Sequence, residues 1–180
     1  MQTALIIIDV QNDYFPNGKK ELSGSTEAAA RLRSLIDHCR SQGLKIIYIQ
    51  HIAAQPDAPF FVDGTNGITI HESVRPQEGD EVIIKHFPNS FRETRLQEVL
   101  AKHRITHLIF AGMMTHMCVD TTVRAAFDLG YSSTLIADCC ATLDLAHDHE
   151  TIRARDVQNA FLAALNGTFC TVRTAREFIA

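Results

Sequence analysis

Six short runs of aliphatic and β-branched residues recur along this chain, each followed by a stretch of helical length. No other feature constrains the fold as much. The runs are 3–9 (TALIIID), 45–51 (KIIYIQH), 81–86 (EVIIKH), 107–112 (HLIFAG), 133–138 (STLIAD) and 168–173 (TFCTVR). Several are continuously apolar rather than alternating, as expected of strands covered on both faces of a parallel sheet. Helical stripes fall between them. Ala29, Leu32, Ile36 and Cys39 step by three or four, and Gly43 follows as a helix-ending glycine. Ser90 with Glu93 predicts a capping box ahead of Leu96, Val99 and Leu100. Val119, Val123, Ala126 and Phe127 form a third stripe, stopped by Gly130, and Ile152, Val157, Phe161 and Leu165 a fourth, ending near Gly167. The alternation predicts a three-layer α/β/α, doubly wound sheet of about six mainly parallel strands. One domain over 1–180 is expected, interrupted only by two longer connections, 16–25 and 52–80.

Composition narrows the function classes. Lys and Arg total 17 against 21 Asp and Glu, a net charge of −4, which argues against nucleic acid as a partner. No apolar run approaches the ~20 residues of a membrane helix. The start, MQTALIIIDVQNDY, has no basic region or small-residue cleavage site and reads as a strand rather than a signal peptide. The five cysteines are Cys39, Cys118, Cys139, Cys140 and Cys170. Their odd number, with no C-x-x-C, points to free thiols in a reducing cytoplasm.

Active sites in open α/β sheets lie beyond the carboxyl ends of the strands. Asp9 ends the first run, Lys85 comes late in the third, and Cys118 follows the fourth where a helix begins. The three types make chemical sense together. A thiolate is a nucleophile, and a helix N-terminus and a nearby ammonium both favour it. A carboxylate can take the thiol proton and return it to a leaving amine. Backbone N–H groups in the 112–118 turn can meet an oxyanion. Each residue also has a structural reading: Asp9 as a loop cap, Lys85 as a solvated end, Cys118 as a small core residue.

The stretches IIIDVQNDYF (6–15), RPQEGDEVIIKHFPNSFRETRL (75–96), IFAGMMTHMCVDTTVRAAFDLGY (109–131) and LIADCCAT (135–142) resemble the isochorismatase-like cysteine hydrolase superfamily. That superfamily includes nicotinamidases, N-carbamoylsarcosine and ureidoacrylate amidohydrolases, and isochorismatases. The resemblance implies a six-stranded parallel sheet and an Asp9–Lys85–Cys118 triad. It also implies a cis peptide between Met113 and Met114, with the N–H groups of Met114 and Cys118 as oxyanion hole. Isochorismatases proper, which cleave a vinyl ether, typically lack the cysteine, so Cys118 favours attack on an amide-type carbonyl through a thioester.

Metal-dependent members carry an Asp-x-His pair after the second strand. Here that strand ends Tyr48-Ile49-Gln50-His51-Ile52, leaving His51 and His71 as isolated candidates. Two ligands fall short of the usual three or four, so no metal and no cofactor is expected. Phe15, His116 and Met117 neighbour the triad and are expected to rim a small-molecule pocket. Asp138 is expected to serve a structural hydrogen bond, and His147–Asp148–His149 a helix-entry turn. A homo-oligomer, dimer or tetramer, is implied by the resemblance. The expected activity is hydrolysis of a small amide, ureido or related C–N bond. A metal-assisted nicotinamidase or ether-cleaving relative is the enzyme alternative, and a non-enzymatic redox-sensing thiol protein the alternative of another class.

Overall fold

In the computed structural model, which describes residues 2–180, six parallel strands form one sheet. They are β1 (Thr3–Ile8), β2 (Lys45–His51), β3 (Glu81–Lys85), β4 (His107–Met113), β5 (Ser132–Ala141) and β8 (Thr171–Arg173), in the spatial order β3-β2-β1-β4-β5-β8. Each of the six predicted runs supplies one of them. β6 (Leu145–His147) and β7 (Glu150–Ile152) make a separate antiparallel hairpin.

The continuous apolar runs are explained by helices on both faces. Leu5, Ile7 and Tyr48 point into a core closed by α1 (Ser25–Ser41) and α5 (Ala175–Ile179). Ala4, Ile6, Ile8, Ile47 and Ile83 point the other way, against α2 (Leu96–Lys102), α3 (Asp120–Asp128) and the end of α4 (Ala154–Leu165). The adjacent Cys139 and Cys140 fall in opposite cores, as alternation along a strand requires.

Three local expectations are corrected. The Ser90–Glu93 capping box does not form. Ser90 is buried and pairs its hydroxyl with Thr122 Oγ1 at 2.9 Å, Glu93 takes a left-handed φ of 55°, and α2 begins later, at Leu96. The His147–Asp148–His149 stretch is the turn of the β6–β7 hairpin, with Asp148 and His149 at φ 45° and 70°. Tight hairpin turns require this left-handed pair. Asp144, not Asp148, accepts the first α4 N–H, from Ala154 at 2.8 Å. Ile152 then lies on β7 and is exposed rather than on a helical stripe. Asp138 does play the structural part expected: it accepts the Ala175 N–H at 2.7 Å and faces Arg31.

Gly112 is a point of close approach. It sits at φ +130°, and a Cβ there would lie 2.1 Å from the Ile8 carbonyl oxygen on the neighbouring strand. Gly112→Ala should therefore cost about 3 kcal/mol or more, the sum of overpacking and backbone strain. Gly130→Ala meets no atom within 4 Å and carries only the penalty of φ +87°, about 1–2 kcal/mol. Urea midpoints of the two variants test this order.

Candidate active site

The strand order decides which side chains meet. Lys85 is the last residue of β3, and its register partner on β2 is His51, also a last residue. Asp9 follows β1, where its N–H donates to the Ile49 carbonyl at 3.0 Å. Cys118 lies in a π-helical turn, Thr115–Val119, just after β4. Four neighbouring strands thus each bring one group to their carboxyl ends. In this order the chain reverses direction across the sheet between β1 and β4, which is where ligands bind in doubly wound folds. Asp9 and Cys118 flank that crevice.

The backbone is shaped to aim these groups. Asp9 sits at φ 52°, a left-handed conformation that aspartate tolerates better than most residues. Gln11, fully buried, pairs with the backbone of His51 as a strand would. It accepts the His51 N–H at 2.7 Å and donates to the His51 carbonyl at 2.8 Å. The Met113–Met114 peptide is cis.

The polar groups lie close together in a dry setting. The Lys85 ammonium is 2.8 Å from Asp9 Oδ2, and both side chains are fully buried. His51 Nδ1 is the next polar group, 3.7 Å from the same Asp9 oxygen. Lys85 Nζ also contacts His51 Nδ1 at 3.1 Å and donates to the Phe87 carbonyl at 3.1 Å. Cys118 Sγ lies 4.0 Å from His51 Nδ1.

Burial alone would raise the Asp9 carboxyl, but the Lys85 ammonium and the His51 ring outweigh it and hold Asp9 below the usual carboxylate range. Burial would lower the Lys85 amine, but the Asp9 carboxylate leads the opposing causes and the net direction is up. Both shifts describe a charged pair. Burial pushes the Cys118 thiol well up, and the Asp9 charge adds to this against the opposing pull of Lys85. The expectation of a thiolate favoured by Lys85 and a helix end is thus corrected: the resting sulfur carries its proton, because burial and Asp9 together win. All five cysteines are unpaired.

Other expected residues fall around this centre. His116 bonds Thr142 Oγ1 at 2.6 Å through Nδ1 and meets Phe161 edge-on, tying the Cys118 turn to the end of β5. Met117 is exposed. Phe15 is buried, with its ring stacked on His71 at 3.6 Å. His71 also bonds Ser73, and none of its contacts reaches the centre. The metal candidates His51 and His71 therefore do not converge. Asp9, His51 and Cys118 do present ligand atoms within 4.8 Å of one another. However, the Lys85 ammonium stands against two of those three groups where a cation would sit, so the donor set does not fit a metal alongside it.

Two residues of the centre were not assigned to it from sequence. His51 could have been found from register, as the strand-end neighbour of Lys85. Tyr14 is buried, and its hydroxyl is pushed up by that burial and by the charges of Asp9 and Asp13. Its place in a short turn after β1 left no periodic signal.

The match with known proteins agrees with this geometry. The family model for the isochorismatase domain matches residues 3–177. The chain belongs to the isochorismatase family of hydrolases. The Bacillus subtilis isochorismatase family protein YddQ is 45% identical over 179 residues, covering 99% of both chains. A solved structure from Oleispira antarctica, grouped with the isochorismatase hydrolases, superposes with a TM-score of 0.96 at 44% identity, covering 99% of this chain and 96% of its own. The ureidoacrylate amidohydrolase RutB of Agrobacterium fabrum is 26% identical over 210 residues, covering 98% of this chain and 88% of its own.

The ion pair has a stability signature. Asp9 is lowered, so its contribution is complete above about pH 4 and is lost as pH falls through its folded value. Lys85 is raised, so its contribution is complete below about pH 10.4 and is lost as pH rises through its folded value. The pair's contribution should therefore be flat between about pH 5 and 9.5. Lys85→Met alone should cost about 3–5 kcal/mol by stranding a buried carboxylate, and adding Asp9→Asn should recover part of that. Urea unfolding of the three variants across pH measures both effects.

Proposed function

We propose that this hydrolase cleaves the C–N bond of a small amide or ureido compound through a thioester on Cys118. The observation that carries this reading is a buried thiol beside a buried carboxylate that is held against the Lys85 ammonium at 2.8 Å. A carboxylate has acceptor capacity beyond one ammonium contact, so Asp9 can receive a proton from the sulfur. The ammonium beside it remains charged whether the negative charge sits on Asp9 or on sulfur. Similarity to a ureidoacrylate amidohydrolase supports the substrate class.

In this reading, the substrate carbonyl settles against Cys118. Asp9 takes the thiol proton as Sγ bonds the carbonyl carbon. The Met114 and Cys118 N–H groups receive the oxyanion. Collapse breaks the C–N bond, and Asp9 passes its proton to the departing nitrogen. Asp9 then takes a proton from water as the hydroxyl attacks the thioester, and the sulfur leaves and regains that proton. Lys85 never titrates in this cycle. It holds Asp9 ionised between steps and steadies the anion when it moves to sulfur.

A groove of about 520 Å³, bounded by Ile52, Ala53, Pro56, Val62, His86 and Phe87, is our candidate for the substrate pocket, although no triad residue lines it. Two of these follow Lys85 directly in sequence and one follows His51, and the volume suits a small molecule. Phe15, His116 and Met117 are second-rank candidates for contact. We keep the cytoplasm and a homo-oligomeric state as parts of the same proposal.

Ammonia release from a panel of small amides and ureido compounds tests the assignment. Cys118→Ala should lose turnover by about a thousand-fold or more while unfolding at the same urea concentration. Asp9→Asn should be similarly slow, because the proton carrier is gone. Full activity in Cys118→Ala on a substrate the wild type hydrolyses would overturn the thioester route. Dialysis against a chelator should leave turnover unchanged, since Lys85 supplies the positive charge.

A further inference from the structure

His51 has no part in the proton cycle above, yet it borders the centre and is partly exposed where Asp9 and Lys85 are not. Its side chain is 16% exposed, whereas those of Asp9 and Lys85 are at 0%. The two edges of its ring differ. On the inner edge, Nδ1 meets the Lys85 ammonium at 3.1 Å, inside its distances to Asp9 Oδ2 (3.7 Å) and to the Cys118 sulfur (4.0 Å). An ammonium has only hydrogens to give, so Nδ1 accepts, and the ring hydrogen belongs on Nε2. On the outer edge, Nε2 has no hydrogen-bond partner among the described residues, and it is not a sealed buried atom. The ring is also fixed in place. Gln11 clamps its backbone from both sides, and Phe61 packs at 5.6 Å. A rigid, unpartnered N–H donor thus stands one ring-width from the nucleophile.

We propose that His51 is a substrate-contacting residue: its Nε2–H donates to an acceptor oxygen carried by the substrate one bond beyond the carbon that Cys118 attacks. Within the proposed substrate class it selects a small amide bearing a carbonyl, carboxylate or hydroxyl on the carbon next to the reacting one. A plain alkyl amide offers nothing for the donor and leaves it unsatisfied once water is excluded, which is costly. Lys85 then has a second duty, because its contact with Nδ1 sets the tautomer that places the hydrogen outward. His51 does not act as base to the thiol, since the nitrogen nearest sulfur is already accepting from Lys85.

The inference rests on Cys118 as the attacking group, but it can be read without hydrolysis. Iodoacetamide carries a carbonyl one bond beyond the carbon that sulfur attacks, and methyl iodide carries no acceptor. In each reaction the S–C bond forms, iodide leaves and the thiol proton goes to Asp9. Rates at Cys118, followed by mass spectrometry of its peptide, give a ratio for the two reagents. His51→Asn keeps an acceptor for Lys85 and removes the outer donor. It should lower the iodoacetamide-to-methyl iodide ratio about five-fold or more, and His51→Gln, with a longer amide N–H, should restore part of it. A ratio unchanged within about two-fold in folded His51→Asn would overturn the proposal. Nitrogen NMR of the wild-type imidazole gives an independent arm that needs no variant: the hydrogen should sit on Nε2, and a hydrogen on Nδ1 would contradict the assignment. Failure of the thioester route would show as turnover by Cys118→Ala, an outcome neither arm can mimic.

Discussion

The contact between Asp9 and Lys85 is the interaction on which the site depends. Both side chains are fully buried, and either one alone would be an unpaired charge in a medium that charges it heavily for being there. The fold supplies that medium. A parallel sheet covered on both faces ends its strands together, so groups at those ends share one dry crevice. The same burial that makes the pair mutually necessary keeps the Cys118 thiol protonated. One physical cause, exclusion of water at the strand ends, accounts for the ionised pair and for the neutral thiol beside it.

Charge accounting follows from that. One positive and one negative charge occupy the site at rest, and moving a proton from sulfur to Asp9 relocates the negative charge without creating a new one. Lys85 is in contact range of both alternatives, so the relocation occurs beside a fixed counter-charge. The supporting turns serve this geometry. Asp9 leaves β1 through a left-handed conformation, Gln11 fastens the end of β2, and Gly112 lets β4 approach β1 closely enough for the Cys118 turn to sit beside Asp9.

Much of this was legible in the sequence, for reasons specific to each element. The six apolar runs announced the sheet because strands buried on both faces have no polar face to dilute the pattern. Asp9, Lys85 and Cys118 stood out because reactive residue types at strand ends are uncommon in a core. What was not legible depends on contacts between distant segments. His51 belongs to the centre only through its register with Lys85, and Tyr14 through the turn after β1. Ser90 matched a capping box locally, but its hydroxyl is taken by Thr122 on another helix. The hairpin at 145–152 was read as a helix start because its strands are too short to show alternation. The protonation of Cys118 could not be judged from neighbours in sequence, since the outcome depends on how far burial and Asp9 outweigh Lys85.

The most direct test of this account is the ultraviolet thiolate absorbance of Cys118, taken as the difference between wild type and Cys118→Ala across pH. The account predicts no thiolate signal from Cys118 at about pH 7 and a rise only on the alkaline side of an ordinary thiol, with Lys85→Met moving it further still. A full thiolate step at or below about pH 7 would show that Lys85 outweighs burial and Asp9, and would contradict the resting state from which the mechanism starts.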